Sequence, residues 1–350
     1  MRRTSLLLAL LAVSCLVAGP AGAMRPEVVA EPPVRSWADA EIRDVVRAGV
    51  MGPTAEAFRP DDPLTRGELA AALTALGRPA AVPADPDRLV PVRELDAKLV
   101  AALGLTPAAR AIRRAVQTAG LRATGIVGTE TVARLLGLRV NHPQGQEHLE
   151  RAPAEPASRA EAAYSLARVR ALTSDAVRRV RDLAASFVLP ALDEWQRGLL
   201  DRALRLVGYP YVWAGSSELP QQLFGGTVPG GFDCSGLVWR VVKVEPLPGA
   251  PALAGVLRGR TTFSMSAEAP KAQRVAGADL APADLVFFGD LGPRSSPAQI
   301  GHMGIYVGNG WFVHSSGNGV TLQPLQGWYA ERLAWGRRVL AEAGLARPAV

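Results

Sequence analysis

Three hydrophobic patterns succeed one another along the chain. Residues 6–18 are apolar almost without a break, and from Trp37 to Val207 apolar positions recur at helical spacing. Beyond Tyr209, short apolar or alternating runs are cut by glycine. A period near 3.6 predicts amphipathic helices and a period of 2 predicts half-buried strands. The pattern therefore predicts a helical first half and a mixed second half.

Within the helical part, "WADAEIRDVVRAGV" places Trp37, Ile42, Val45, Val46 and Val50 near one face, with Gly49 and Gly52 as terminators. In "FRPDDPLTRGELAAALTALG", Pro60 and Pro63 predict an extended turn, after which Thr65 caps a helix and Glu68 completes a capping box. "SRAEAAYSLARV" (158–169) repeats that form with Ser158 and Glu161. "VRELDAKLVAALGL" (92–105) and "ETVARLLGL" (130–138) both end in "LGL". The whole reads as degenerate helical repeats of roughly 45 residues over 34–170. "TSDAVRRVRDLAASFVL" predicts a connecting helix stopped by Pro190, and a further helix carries Trp195, Leu199, Leu200, Ala203, Leu204 and Val207 inward before Gly208 and Pro210.

In the second half, strands are predicted at 283–289, 302–308, 310–316 and 319–325, with Asn309-Gly310 as a hairpin turn. "FDCSGLVWRVV" predicts a helix starting at Asp233 or Cys234 with Leu237, Val238, Val241 and Val242 as its apolar positions. Helices packed on a small antiparallel sheet make this part α+β.

Length and charge refine the picture. The 350 residues, 48% hydrophobic, suffice for two domains of ordinary size. The first 23 residues have Arg2 and Arg3, the apolar run and a closing "AGA", a signal-peptide pattern with cleavage expected near Ala23. "LAVSC" offers a minor alternative, a lipoprotein anchored through Cys15. No later segment is apolar enough to span a membrane. The formal charge of +7 suits a polyanion, and for an exported chain anionic wall polymers fit better than nucleic acid.

Export also changes the meaning of the cysteines. Only Cys15 and Cys234 exist, so removal of the leader leaves one thiol with no disulfide partner. At a helix start, N–H groups and the helix dipole favour thiolate, while the Asp233 charge opposes it. Of the four histidines, His142 and His148 lie in the repeats, whereas His302 and His314 bracket the predicted hairpin and share one end of it. His302 can then face Cys234 while His314 engages its other nitrogen, as in papain-type sites. A buried structural thiol is the plainer reading of Cys234 taken alone.

Two resemblances add to these readings. "SWADAEI…GVM…FRPDDPLTRGELA" resembles an S-layer homology (SLH) region, with "TRGE" and "SRAE" as variants of its Thr-Arg-Ala-Glu signature. The likeness is good over 35–75, fair over 145–170 and poor between. It implies docking onto an anionic secondary cell-wall polymer, with Arg66 and Arg159 near the sugar. "AVQTAGLRATGIVGTETVARLL" is also compatible with a different peptidoglycan-binding helical module.

The series "YPYVWAG", "FDCSGLV", "PADLVFF" and "HMGIYVGNGWFVHSS" resembles the NlpC/P60 family of papain-like cysteine peptidases over roughly 195–340. The resemblance implies that Cys234 is the nucleophile, His302 the general base and acid, and His314 the orienting residue. Tyr211, Asp233 and Ser235 match positions that contact the substrate peptide in some relatives, though Asp233 and Ser235 also suit helix capping. Asp284 matches a structural position. Trp213, Trp311 and Phe312 read as core or groove wall.

There are departures from the family pattern. Ala214 stands where a glycine is common, "APAD" replaces Pro-Gly-Asp, and loops 216–230, 246–258 and 289–300 are long.

The expected layout is a signal peptide (1–23), a lead-in (24–35), SLH-like repeats (36–171), a connector (172–193) and an NlpC/P60 domain (194–345). The expected activity is a secreted, wall-associated endopeptidase that cuts peptidoglycan stem peptides, by family likeness at the D-γ-glutamyl–diamino acid bond. No metal or cofactor is expected. An amidase or acyltransferase on the same scaffold, and a non-catalytic wall-binding protein, are the competing readings.

Overall fold

The computed structural model describes residues 36–78, 80–122 and 125–345. The expected signal peptide, Cys15 and the expected lead-in to residue 35 lie outside them.

Among the described residues, seven α-helices fill the first half: α1 (Asp39–Arg47), α2 (Arg66–Ala75), α3 (Val92–Ala102), α4 (Thr106–Thr118), α5 (Val127–Leu135), α6 (Arg159–Ala171) and α7 (Ser174–Ser186). Both expected capping boxes form. Thr65 N–H donates to Glu68 Oε2 at 3.0 Å while Glu68 N–H donates to Thr65 Oγ1 at 3.3 Å. Ser158 and Glu161 repeat this at 2.8 and 3.1 Å.

The repeats converge on a ring of three backbone hydrogen bonds. Leu64 N–H donates to Ala157 O at 2.8 Å, Ala157 N–H to Val90 O at 2.9 Å, and Val90 N–H to Leu64 O at 2.9 Å. All three residues are buried, and each lies two residues before a helix: α2, α3 or α6. The segment before α3 is thus the middle repeat, which the sequence marks only as a helical stretch. It lacks a Thr/Ser cap and carries buried Val92 where the other two have Arg66 and Arg159.

Arginines close the ring from outside. Arg66 pairs with Glu94 of the next repeat at 2.7 Å. Arg159 pairs with Glu68 of the first repeat, donates to Phe58 O at 2.8 Å and lies over the Phe58 ring. Glu161 has no equivalent partner in the middle repeat and takes Arg139 instead, at 3.2 Å. The expectation that Arg159 meets wall polymer is therefore corrected. Its side chain is buried inside the repeat bundle, because the ring brings Glu68 and Phe58 onto it.

The second half begins with α8 (Glu194–Arg205), capped by Asp193. Two short ribbons follow, one pairing β1 (Ser216–Ser217) with β4 (Gly231–Phe232), the other pairing β2 (Gln221–Leu223) with β3 (Gly226–Val228). Next come α9 (Cys234–Trp239), α10 (Leu253–Val256) and α11 (Thr262–Ala267). The main sheet contains β5 (Leu285–Gly289), β6 (Ile300–Gly308), β7 (Trp311–Ser316), β8 (Gly319–Pro324) and β9 (Leu333–Arg337), in the order β8-β7-β6-β5-β9, all antiparallel. Two short helices, α12 (Trp328–Arg332) and α13 (Val339–Glu342), flank β9. Four of the five strands were expected. "LAWGR" has no alternation that distinguishes it from the helices beside it, and its strand character comes from pairing with β5.

The β6–β7 turn is the expected Asn309-Gly310, with φ of 48° and 75°. That is the conformation a two-residue hairpin of native twist requires.

The helical repeats and the second half share one unit rather than two separate bodies among the described residues. The Arg134 guanidinium from α5 donates to Gly208 O and Asn318 O, beside the end of α8 and the β7–β8 turn. Asn141 Oδ1 accepts from Tyr211 N–H at 2.8 Å.

Candidate active site

Cys234 occupies the first position of α9, and Asp233 is its N-cap, accepting from Gly236 N–H and from Ser235 Oγ (2.9 Å). A Cβ at position 236 would lie 1.8 Å from Gly215 O, so only glycine lets the helix start press against that loop. Arg260 completes the contact by donating to Asp233 Oδ1 (3.2 Å), Ser235 Oγ (2.7 Å), and the carbonyls of Ala214 and Gly215 (both 3.2 Å). Asp233 and Ser235 thus cap and brace the helix, and the Asp233 charge has an arginine against it.

The thiol itself is buried. Its Sγ lies 3.4 Å from Thr262 Oγ1. Burial pushes the thiol pKa up, Thr262 pulls it down, Asp233 pushes it up, and the backbone N–H dipoles of Ser235 and Met303 pull it down; the net direction is up. At rest the group is a thiol. The helix start alone suggested thiolate, but desolvation outweighs it.

The hairpin delivers the imidazoles. His302 on β6 and His314 on β7 meet with Nε2 of the first 2.8 Å from Nδ1 of the second. Gly304 makes this possible: a Cβ there would stand 2.7 Å from Val313 O, 2.8 Å from Phe312 Cδ2 and 3.0 Å from His314 Cβ. Ser315 Oγ, one residue beyond His314, donates to Phe232 O at 2.6 Å, which ties β7 to the segment entering α9. β6 in turn packs against α9, the helix that Cys234 begins.

Phe288, Phe312 and Tyr329 surround the imidazoles, with ring centroids 4.6–6.0 Å away. That apolar wall has an electrostatic result. Burial lowers His302 to about 4, and burial followed by the His302 charge takes His314 well below its ordinary value. Both rings are neutral at neutral pH.

Neutrality fixes the tautomers that permit base chemistry. For His302 Nδ1 to take a proton, its Nε2–H must donate to His314 Nδ1, and His314 must carry its proton on Nε2. His314 Nε2 is buried without a hydrogen-bond partner among the described residues.

Tyr211 is half-buried beside this group. Its phenol is pushed up by burial and then by Cys234, Asp233 and Glu147. Asp284 holds the turn before β5, accepting from Ala281 N–H at 2.8 Å and pairing with Arg338 at 3.0 Å. Trp311 and Phe312 are buried, as expected of core, whereas Trp213 is exposed. His142 and His148 stay in the helical half, His142 packed edge-on to Trp37.

Three site neighbours escaped sequence reasoning: Arg260, Thr262 and Tyr329. Each lies 26 or more residues from Cys234 in a stretch without periodicity, so only the folded chain brings it in. No trio of His, Cys, Asp or Glu side chains among the described residues is placed to hold a metal ion.

Cys234 on its helix start and the His302–His314 pair on the antiparallel hairpin lie in one segment that is similar to a known family. Residues 208–339 match the NlpC/P60 family. Residues 32–70 match the S-layer homology domain, a stretch holding α1 and the first capping box. The NlpC/P60 segment is similar to the probable peptidoglycan endopeptidase LytE of Bacillus subtilis, with 32% identity over 131 residues, covering 37% of this chain and 30% of LytE. It is also 32% identical over 124 residues to the murein DD-endopeptidase MepH of Escherichia coli, covering 35% of this chain and 37% of MepH. The chain thus spans about a third of the length of these curated relatives.

Among solved structures, an NlpC/P60 family protein from Bacillus cereus matches with 26% identity, TM-score 0.32, and 43% and 41% of the two chains covered. RipD of Mycobacterium tuberculosis, described as a non-catalytic NlpC/p60 domain protein, matches with 23% identity, TM-score 0.32, and 43% and 100% covered. Among the described residues, no helix is long and apolar enough to cross a membrane.

Proposed function

We propose that the chain is a wall-associated peptidoglycan hydrolase acting as a cysteine endopeptidase, with Cys234 as nucleophile, His302 as base and acid, and His314 as the residue that orients His302. The observation that carries the reading is the 2.8 Å His302–His314 contact within an NlpC/P60-matched segment, on strands packed against the helix that Cys234 begins.

Because thiol and imidazole both rest neutral, the chemistry is base-assisted attack rather than reaction of a standing ion pair. The Cys234 proton passes to His302 Nδ1 as sulfur bonds to a stem-peptide carbonyl carbon. The oxyanion is held by backbone N–H groups, that of Cys234 among them. The C–N bond then breaks as His302 returns the proton to the leaving amine. Water, deprotonated by the same nitrogen, attacks the thioester and frees Cys234. His314 Nδ1 accepts from His302 Nε2–H throughout, which stabilises the transient imidazolium. Tyr211 lines the substrate side, and family likeness points to the D-γ-glutamyl–diamino acid bond.

The helical half is proposed as the wall anchor. Arg66, half-exposed, borders a cavity of about 720 Å³ with Arg78, Lys98, Glu94 and an apolar floor that includes Leu69 and Leu73. Three cations beside one carboxylate suit an anionic sugar. Arg159 is excluded from that role by burial, so Arg66 marks the polymer side. Export through the N-terminal leader belongs to the same reading.

Mass spectrometry of muropeptides incubated with wild type and Cys234→Ala tests the enzyme. A new amine on the diamino acid, absent with the variant, is the expected product. Release of the stem from muramic acid would make it an amidase. No digestion by protein whose Cys234 is shown to be reduced would leave a binding protein.

A further inference from the structure

Residues 208–212 lead into the candidate active site, and their backbone is held from three sides. Gly208 N–H donates to Val320 O at 2.9 Å and Val320 N–H to Tyr209 O at 2.8 Å, which joins the stretch to β8. Phe232 N–H donates to Pro210 O at 3.1 Å and Val212 N–H to Phe232 O at 3.2 Å, which joins it to a residue two places before Cys234. Those pairings pass over the Tyr211 N–H. It donates instead to Asn141 Oδ1 at 2.8 Å, a side chain of the helical half. A second tie crosses the same boundary close by, where the Arg134 guanidinium donates to Gly208 O.

Asn141 is itself fixed on the repeat bundle. Its Nδ2 donates to His142 O at 3.3 Å, which leaves the amide oxygen to face a donor. On one side of it, buried Arg139 pairs with Glu161 of α6 at 3.2 Å and with Asp96 of α3 at 3.7 Å. On the other, His142 N–H donates to Glu150 Oε1 at 2.5 Å, and its ring packs edge-on to Trp37 with centroids 4.6 Å apart. Further along the same segment, Glu147–Leu149 packs against β3. The far end of Tyr211 is a half-buried phenol. Burial, then the charges of Cys234 and Asp233, raise its pKa, so the ring stands beside the nucleophile. An N–H without an acceptor is costly, so loss of the Asn141 oxygen would turn the Tyr211 backbone toward another partner and the ring with it.

We propose that Asn141 is a positioning residue for the peptidase: by holding the Tyr211 N–H it sets the phenol on the substrate side, and the helical half takes part in stem-peptide recognition as well as anchoring. This rests on the endopeptidase reading and gives it a residue outside the 208–339 segment. Asn141 acts through Tyr211 and not on the reacting atoms, so its effect belongs to KM.

Steady-state kinetics of the full chain on muropeptides give the test. Asn141→Ala is expected to raise KM about fivefold and to leave kcat within about twofold, since one net hydrogen bond is lost from the substrate side. Asn141→Asp keeps the acceptor oxygen and is expected to bring KM back to within about twofold of wild type. In a Tyr211→Ala background, Asn141→Ala should change KM by less than about twofold, because the two residues act as one unit. A merely structural role would instead lower kcat at constant KM as folded protein is lost, and that result overturns the proposal. Unchanged KM in Asn141→Ala, no rescue by Asn141→Asp, or effects additive with Tyr211→Ala overturn it too. If no muropeptide is cut by protein with reduced Cys234, the endopeptidase reading fails, and calorimetric Kd values for the same muropeptides judge Asn141. The same pattern across the variants, read in Kd, supports its role; equal Kd values or no binding overturn it.

Discussion

Gly304→Ala is the smallest change that probes the histidine pair. The added methyl would stand 2.7 Å from Val313 O, 2.8 Å from Phe312 Cδ2 and 3.0 Å from His314 Cβ. Ordinary contact begins near 3.4 Å, so β6 and β7 must part by about 0.5 Å. One neighbour is backbone oxygen and another is a fully buried ring, so neither yields cheaply. Overpacking of this kind costs about 1–3 kcal/mol. At about 2–4 °C per kcal/mol for a unit of this size class, Tm should fall by roughly 2–12 °C. The same displacement lengthens the 2.8 Å His302–His314 contact. A 1 Å misplacement costs about a hundredfold in rate, so kcat should drop about tenfold with KM little changed.

Gly301→Ala is the matched control, because a Cβ there meets no atom within 4 Å on the same strand. Thermal unfolding and muropeptide kinetics on both variants give the readout. A Gly304→Ala protein with wild-type Tm and kcat would refute the claim that close strand approach sets the histidine geometry.

Three further outcomes are expected. His302 is lowered to about 4 by burial, and the base must be unprotonated, so the acid limb of kcat/KM should fall near pH 4 rather than near pH 6.5. The unfolded chain takes up that proton below about pH 6.5 while the folded chain resists it down to about 4. The stability contribution is therefore complete above pH 6.5 and is lost as pH falls toward 4. Denaturant midpoints across that window, shallower in His302→Gln, check the sign. Thr262→Val removes the hydroxyl that pulls the Cys234 thiol down, so the alkylation rate by iodoacetamide should shift its pH dependence to the alkaline side. Arg159→Met should destabilise the chain by about 1–3 kcal/mol through lost buried hydrogen bonds. Arg66→Met should leave Tm near wild type while lowering retention on wall polymer in a sedimentation assay. Equal retention losses in both variants would contradict the assignment of Arg159 to the interior.

Local sequence was informative wherever the physics is local. Ser/Thr followed by Glu three residues on satisfies its own helix start, and both such boxes form at the residues that announce them. Asn309-Gly310 fixes its turn, and that turn fixes which residues can face each other, so His302 and His314 were readable as a pair. Asp233 could be read equally as cap or substrate contact, because both uses need the same carboxylate at the same place. The middle repeat was hidden because Val92 and Pro91 replace the capping residues, and its place is set by backbone bonds to segments 26 and 67 residues away.

The sequence by itself determined the two capped helix starts, four of the five main-sheet strands, the hairpin and the candidate nucleophile with its histidines, since each depends on spacing within a few residues. Tertiary structure decided the rest. It placed Arg260 against Asp233, buried Arg159 on Glu68 and turned "LAWGR" into an edge strand. It also buried the Cys234 thiol, and that burial pushes its pKa up. The physical reason is common to all of these: burial and long-range partners set the cost of a charge or an unpaired group. A short stretch of chain does not specify which distant segments will cover it.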